Sequence, residues 1–268
     1  MPATRIPGTT PLLIHRHDDG RLRRTPDAVV VEEPLEIRLD GRTVATTLRT
    51  PGHDAELAVG LLHAEGVLDG CPVIQVRHSP PGLYDGGHLN TVSVDTAGRA
   101  TPPAPRLQVA TAACGLCGAT SIGELTARLT PLAPTPLPPA VAILGLGTRV
   151  RELQGLFGST GGVHAAAVFD DRGEPSLVRE DVGRHNAVDK VVGRLRLDDR
   201  LPATGLGLFV SGRAGFELVQ KAWAAGFAWM VAVGAPTSLS VETARAAGLA
   251  LVGFASDDRY NVYAPLDP

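Results

Sequence analysis

Cys114 and Cys117 stand three positions apart in "ATAACGLCGATSIGEL" (residues 110–125), each followed by a glycine. Three chemistries fit such a pair. A structural zinc needs four ligands, usually as two short-spaced pairs. Only one C-x-x-C occurs here, Cys71 is remote, and His53, His63, His164 and His185 are scattered singly. A site completed by distant residues stays open. A redox disulfide of the thioredoxin type needs the pair at a helix start within a βαβ unit. This pair instead follows a β-rich half and precedes a proline-rich stretch. The third reading is a nucleophilic thiol. A thiol of ordinary pKa, about 8.5, is only a few per cent thiolate at pH 7, and lowering it to about 7 makes half available. Ser121-Ile122-Gly123-Glu124 is a capping-box pattern, so a helix is expected to begin just after the cysteines. Gly115 and Gly118 remove bulk beside each sulfur and allow another protein's cysteine to approach.

A second set of candidates lies towards the C-terminus. Three short apolar runs, 207–211, 228–235 and 249–254, alternate with two helical stretches, which indicates a parallel sheet with right-handed crossovers. Ligands of open α/β sheets bind beyond the carboxyl ends of the strands. Here those ends carry Ser211-Gly212-Arg213, Gly234-Ala235-Pro236-Thr237-Ser238 and Phe254-Ala255-Ser256-Asp257-Asp258-Arg259. Thr237 or Ser238 is placed to cap the following helix, whose free N–H groups would suit an anion. Strand-to-helix turns favour such residues in any case, so the pattern alone leaves a phosphate ligand open. The chain has only two lysines, Lys190 and Lys221, so a phosphate-rich ligand would be held mainly by arginine forks.

The elements that must position these residues are legible in outline. The first twenty residues read as a loose tail. Residues 32–50 read as a hairpin about an Asp40-Gly41 type I′ turn, pairing Leu39 with Arg42 and Ile37 with Val44. Residues 51–70 read as a helix with Leu57, Leu61, Ala64 and Leu68 on one face, and with Asp54 and Glu56 at the positive end of its dipole. Residues 73–78 and 89–95 are further strands. Five prolines within 131–140 make a stiff connector, dividing a β-rich N-terminal domain (1–130, ending in the cysteine loop) from an α/β domain (140–268). Beyond it come a helix to about Phe157, a hairpin turning at residues 171–173, and a helix over 183–197 burying Val188, Val191, Val192 and Leu195. Gly226 and Gly248 fall at helix C-caps.

Composition narrows the function classes. The chain has 268 residues, 44% of them hydrophobic and 20% charged, as in ordinary globular proteins. A net charge of −3 gives no support for a nucleic-acid or membrane-surface binder. No apolar run is long enough for a membrane span and the N-terminus lacks a signal-type apolar core. Three cysteines argue against a disulfide framework, so a reducing, cytoplasmic setting is expected.

Six motifs in order then carry a specific likeness: "TPGHDAELAVGLLHAEGV" (50–67), "CGLCG" (114–118), "TGGVHAAAVFD" (160–170), "EDVGRHNAVDKVVG" (180–193), "VSGRAGFELVQKA" (210–222) and "LVGFASDDRYNVY" (251–263). With these the chain resembles the formate dehydrogenase accessory sulfurtransferases (FdhD). The resemblance implies a cytidine-deaminase-like, three-layer C-terminal domain, giving an α/β (α+β overall) fold, in a homodimer. It implies sulfur transfer from a cysteine desulfurase to the molybdenum (or tungsten) bis-guanine-dinucleotide cofactor, bound as substrate and then inserted into formate dehydrogenase. Cys114 would carry the persulfide, with Cys117 as relay or resolving thiol. Phe254, Ala255, Ser256, Asp257, Asp258 and Arg259 would hold the cofactor, for which GDP is an analogue. Ser211, Arg213, Thr237 and Ser238 on the neighbouring loops join that expectation, with Arg213 and Arg259 as phosphate forks and Asp257 and Asp258 as acceptors of the guanine N–H edge. No resident metal is expected. His164 and His185 could lie near the site, but a lone histidine in an alanine-rich strand is more often a satisfied core residue, so neither joins the expected set. A non-covalent cofactor chaperone with a structural or zinc-binding C-x-x-C is the competing function. A zinc deaminase is disfavoured, because no H-x-E accompanies a P-C-x-x-C and Cys114 follows Ala113.

Overall fold

Asp40 and Gly41 both take positive φ, 45° and 83°, as a type I′ connection requires, and join β3 (Glu33–Leu39) to β4 (Arg42–Arg49). These details come from a computed structural model that describes residues 6–79, 90–101 and 126–264. Leu39 faces Arg42 as expected, but a bulge moves Ile37 opposite Ala45 rather than Val44. Val44 is the extra residue, and both it and Ala45 are buried, which strict alternation would forbid. With β5 (Gln75–Ser79) and β6 (Asn90–Asp95) these strands form a sheet ordered β4-β3-β6-β5, in which β3 and β6 run parallel.

The expected N-terminal tail is instead a regular hairpin. β1 (Thr9–Asp18) pairs along its length with β2 (Arg21–Val30). Most of its side chains are exposed, so no buried face imposed the alternation that would have revealed it.

α1 (Asp54–Ala64) is shorter than the helix read from 51–70. Gly52 and His53 enter it at φ 108° and 59°, and Gly66 leaves it at φ 76°. Leu57, Leu61, Ala64 and Leu68 are buried as expected, and the three leucines pack with Leu35, Ile37, Val92 and Val94 of the sheet. Its other side crosses α5 (Arg184–Leu197) at a distance only glycine permits. A Cβ on Gly60 would lie 1.8 Å from the Asp189 carbonyl oxygen, and one on Gly193 would lie 1.8 Å from that of Glu56.

The larger sheet contains β7 (His164–Phe169), β8 (Pro175–Asp181), β9 (Gly207–Val210), β10 (Trp229–Ala232), β11 (Ala250–Gly253) and β12 (Asn261–Ala264). Its order is β12-β11-β10-β9-β7-β8. β9, β10 and β11 are parallel, as their apolar runs implied, while β7, β8 and β12 are antiparallel to their neighbours. Alternate side chains serve two cores. Ala166, Val168, Leu208, Val210, Met230 and Leu251 meet α5, α6 (Phe216–Ala224) and α7 (Ser238–Ala247). Ala167, Phe169, Phe209, Trp229, Val231 and Val252 meet α2 (Ala140–Ile143) and α3 (Leu146–Glu152). The architecture is mixed α/β, α+β overall, with helices on both faces of this sheet.

The single helix expected up to Phe157 is broken into α2, α3 and α4 (Gly155–Thr160). Gly145, at φ 71°, and Gln154, in an extended conformation, interrupt it. Arg149 then fastens α2 and α3 to the β7–β8 turn by donating to the carbonyls of Ala142, Leu144 and Gly173. The proline connector carries no helix or strand over 131–139. Both tryptophans hold its ends: Trp223 Nε1 donates to Thr130 O at 2.8 Å and Trp229 Nε1 to Pro136 O at 2.9 Å.

Both lysines are buried in ion pairs. Lys190 meets Asp181 at 2.8 Å and also donates to the carbonyls of Thr50 and Glu180. Lys221 meets Asp189 at 2.6 Å. Any accessible fixed cation among the described residues is therefore an arginine.

Candidate functional site

Parallel strands β9, β10 and β11 deliver their carboxyl ends to one edge, and the three loops that follow are laced together there. Gly234 N donates to Gly212 O at 2.9 Å, Phe254 N donates to Gly234 O at 3.2 Å, and Ala214 N donates to Ala235 O at 3.1 Å. Gly234 is required at this crossing, because a Cβ would sit 2.9 Å from the Arg213 backbone. Ser211 ties the edge to β7: its N donates to Ala165 O at 3.0 Å, and its Oγ accepts from Ala165 N at 2.9 Å.

The third loop is stiffened from within. Ser256 N donates to Arg259 O at 2.9 Å, and the Ser256 hydroxyl donates to Asp258 at 2.7 Å. That hydroxyl holds the Asp258 carboxyl below its ordinary range. Asp257 is fixed from α3, where Thr148 Oγ1 donates to Asp257 Oδ1 at 2.8 Å. Its second carboxylate oxygen has no partner among the described residues. Phe254 opens the loop at φ 53°, a region bulky side chains avoid, with 46% of its surface exposed. Thr237 caps α7 as expected: its Oγ1 accepts from Ser240 N while its own N donates to Ser240 Oγ.

α3 and α4 overhang this edge and convert it into a groove of two joined cavities. One, of about 460 Å³, is lined by Gly147, Thr148, Phe209, Val233, Ala255, Ser256 and Asp257. The other, of about 380 Å³, runs past Phe157, Gly162, His164 and Val182. Arg151, Gln154 and Ser211 line both. Glu180 on β8 holds α4 in place by accepting from the backbone N–H groups of Leu156 and Phe157, at 2.9 and 2.8 Å.

Of the ten cofactor residues expected from the sequence, Ser211, Ala255, Ser256 and Asp257 line this groove. Phe254, Asp258, Arg259, Arg213 and Thr237 stand on the adjoining loops, and Ser238 at the start of α7, outside its lining. The Arg213 and Arg259 guanidinium groups have no hydrogen-bond or ion-pair partner among the described residues. Cys114, Cys117 and the capping box after them lie outside the described residues. Sequence reasoning missed Thr148 and Arg151, on a short helix without a motif, and Gln154, in the break that follows it.

His164, read as a core residue, is half-buried and lines the second cavity. It begins β7 at the same edge, where a Cβ on Gly212 would meet its Nδ1 at 3.5 Å. Burial, and then the nearby Arg184 and His185, push its pKa below the ordinary 6.5, which favours its neutral form. His185 keeps the core assignment: it is 5% exposed and lies 3.6 Å from Glu217. The His185 ring beside it holds the Glu217 carboxyl down to about 2 against the opposing effect of burial.

Among the described residues, no helix is long and apolar enough to cross a membrane. Residues 30–267 match the family model described as the FdhD/NarQ family. A sulfur carrier protein FdhD of Corynebacterium efficiens is 44% identical over 253 residues, covering 89% of this chain and 90% of that protein. One of Streptomyces avermitilis is 46% identical over 255 residues, covering 92% and 90%. The crystal structure of a formate dehydrogenase accessory protein from Desulfotalea psychrophila superposes with a TM-score of 0.74, covering 96% of this chain and 97% of that one. At 23% identity that likeness speaks for the fold.

Proposed function

The chain belongs to the FdhD/NarQ family, and from that premise we propose that it carries sulfur to a molybdenum or tungsten bis-guanine-dinucleotide cofactor destined for formate dehydrogenase. The observation that carries the ligand half of this reading is the groove at the strand-end edge. It joins an acceptor carboxylate, Asp257, to an arginine, Arg151, within a volume suited to a small molecule. Phe254 stands beside it, held outward in a strained backbone conformation, as residues that meet ligands often are.

In this reading Cys114 is the nucleophile. Its thiolate attacks the outer sulfur of a cysteine desulfurase persulfide, forming the Cys114 persulfide and releasing the desulfurase cysteine as thiolate. The terminal sulfur then passes to the metal centre of the bound substrate, which supplies the bonding electron pair, and the Cys114 thiolate leaves. Cys117 relays the sulfur or resolves the persulfide as a disulfide. The chain acts as a homodimer in the cytoplasm, with the desulfurase and formate dehydrogenase as successive partners.

Intact-mass measurement after incubation with a desulfurase and cysteine tests the covalent half. A gain of one sulfur, reversed by reductant and absent in Cys114→Ala, is the expected result. A Cys114→Ala variant that still takes up labelled sulfur and still activates formate dehydrogenase would overturn the nucleophile. Stoichiometric zinc with no sulfur gain would favour the non-covalent chaperone. Titration with GDP tests the ligand half, and a bound-state structure with GDP away from this edge would sink it.

A further inference from the structure

We propose that Arg151 is the phosphate-binding residue of the strand-end groove and Asp257 its base-end anchor, so that a nucleoside diphosphate lies along the groove between them. This rests on the reading that the groove takes a guanine nucleotide. It assigns the phosphate contact to a residue that no sequence motif marks, in place of Arg213 and Arg259.

Position is the first argument. Arg151 lines both cavities, whereas Arg213 and Arg259 line neither. The second is preorganisation. The Arg151 guanidinium carbon lies 4.0 Å from the centroid of the Phe157 ring, so the planar fork is stacked before any ligand arrives. The platform is itself fixed, because the Glu180 carboxylate accepts from the Phe157 N–H. The third is unsatisfied capacity. The five N–H donors of Arg151 have no hydrogen-bond or ion-pair partner among the described residues, and a phosphate can accept two of them side by side.

The rest of the lining fits the same placement. Arg151 is the one arginine or lysine among the described residues lining either cavity. Neutral His164 can still donate one hydrogen bond, and so can the Ser211 hydroxyl, whose oxygen already accepts from Ala165. Negative charge is therefore met in the middle of the groove. At the far side, Thr148 occupies one oxygen of Asp257 and leaves the other to accept the N–H edge of a guanine.

Calorimetric titration of GDP and of guanosine into the wild type, Arg151→Gln, Arg151→Lys and Arg259→Gln tests the assignment. Arg151→Gln is expected to weaken GDP about ten- to hundredfold, the loss of a charge-assisted bidentate contact, and to leave guanosine unchanged. Arg151→Lys, a point charge without the fork, is expected to fall between. The salt dependence of GDP binding should flatten in Arg151→Gln. Equal GDP affinity in the wild type and Arg151→Gln, or the loss appearing in Arg259→Gln instead, would overturn the assignment while leaving the groove reading intact. A wild type that binds no GDP would overturn both. Arg151 is exposed on α3, and matched melting curves of the variants confirm that affinity rather than folding is being read.

Discussion

Replacing Gly193 by alanine sets two magnitudes of opposite sign against each other. In an open helix the change would stabilise, by about 1 kcal/mol, because glycine is the poorer helix former. Gly193 is not in the open: its new Cβ would fall 1.8 Å from Glu56 O, 2.6 Å from Glu56 C and 2.8 Å from Gly60 N. All three are rigid backbone atoms of α1, so α1 and α5 must part by more than an ångström. Overpacking of this kind costs about 1–3 kcal/mol and occasionally more. The displaced residue is also Glu56, whose carboxylate takes both Arg179 Nε at 2.5 Å and Nη2 at 2.8 Å from β8. Loosening a part-buried, bidentate pair adds to the loss. The net expectation is destabilisation of about 2–4 kcal/mol, or roughly 5–15 °C in melting temperature at this chain length. Thermal melts read alongside urea midpoints measure it. Gly158→Ala is the control, since it lies in α4 with nothing within 4 Å of its Cβ, and it should hold or slightly raise the melting temperature. If Gly193→Ala melts with or above the wild type, the close crossing of α1 and α5 is wrong.

Three further outcomes follow from the structure. Burial alone would raise the Glu56 carboxyl, but Arg179 and then His53 hold it at about 2 against an ordinary 4.5. Its folded pKa is the depressed one, so its stabilisation is complete above pH 4.5 and disappears as pH falls to 2. The melting-temperature gap between the wild type and Glu56→Gln should narrow across that window, and a constant gap would refute the pairing. Phe254→Gly should melt higher than Phe254→Ala, by about 1 kcal/mol in stability, because only glycine sits at φ 53° without strain. Both should bind GDP more weakly than the wild type, and equal melting would deny the strain. Trp229→Phe removes the indole donor to Pro136 O while keeping an aromatic ring in the core, and should cost about 1–2 kcal/mol in urea unfolding. Unchanged stability would show that the connector is not held there.

Residue periodicity made the interior of the α/β half legible. The runs at β9, β10 and β11 are apolar at every position because both faces of those strands are covered. Asp40-Gly41 and Thr237 were readable because a turn and a cap are set by neighbours within a few residues. The β1–β2 ribbon was not readable, since an exposed hairpin imposes no burial pattern on its residues. The Val44 bulge hid for a similar reason, one inserted residue being invisible until the partner strand is in place.

The candidate site divides along the same line. The sequence alone determined that three polar loops share one strand-end edge, because parallel strands must end together, and it singled out Ser211 and residues 254–259 there. Tertiary structure decided which of them face a common space. That space exists only because Gly145 and Gln154 break a helix into pieces and Glu180 and Arg149 pin those pieces over the sheet. Thr148, Arg151 and Gln154 are brought to Ser211 and Asp257 from up to 109 positions away in the chain. Local sequence encodes the local conformation of each segment. The meeting of distant side chains is set by how the segments pack, and no short window of residues contains it.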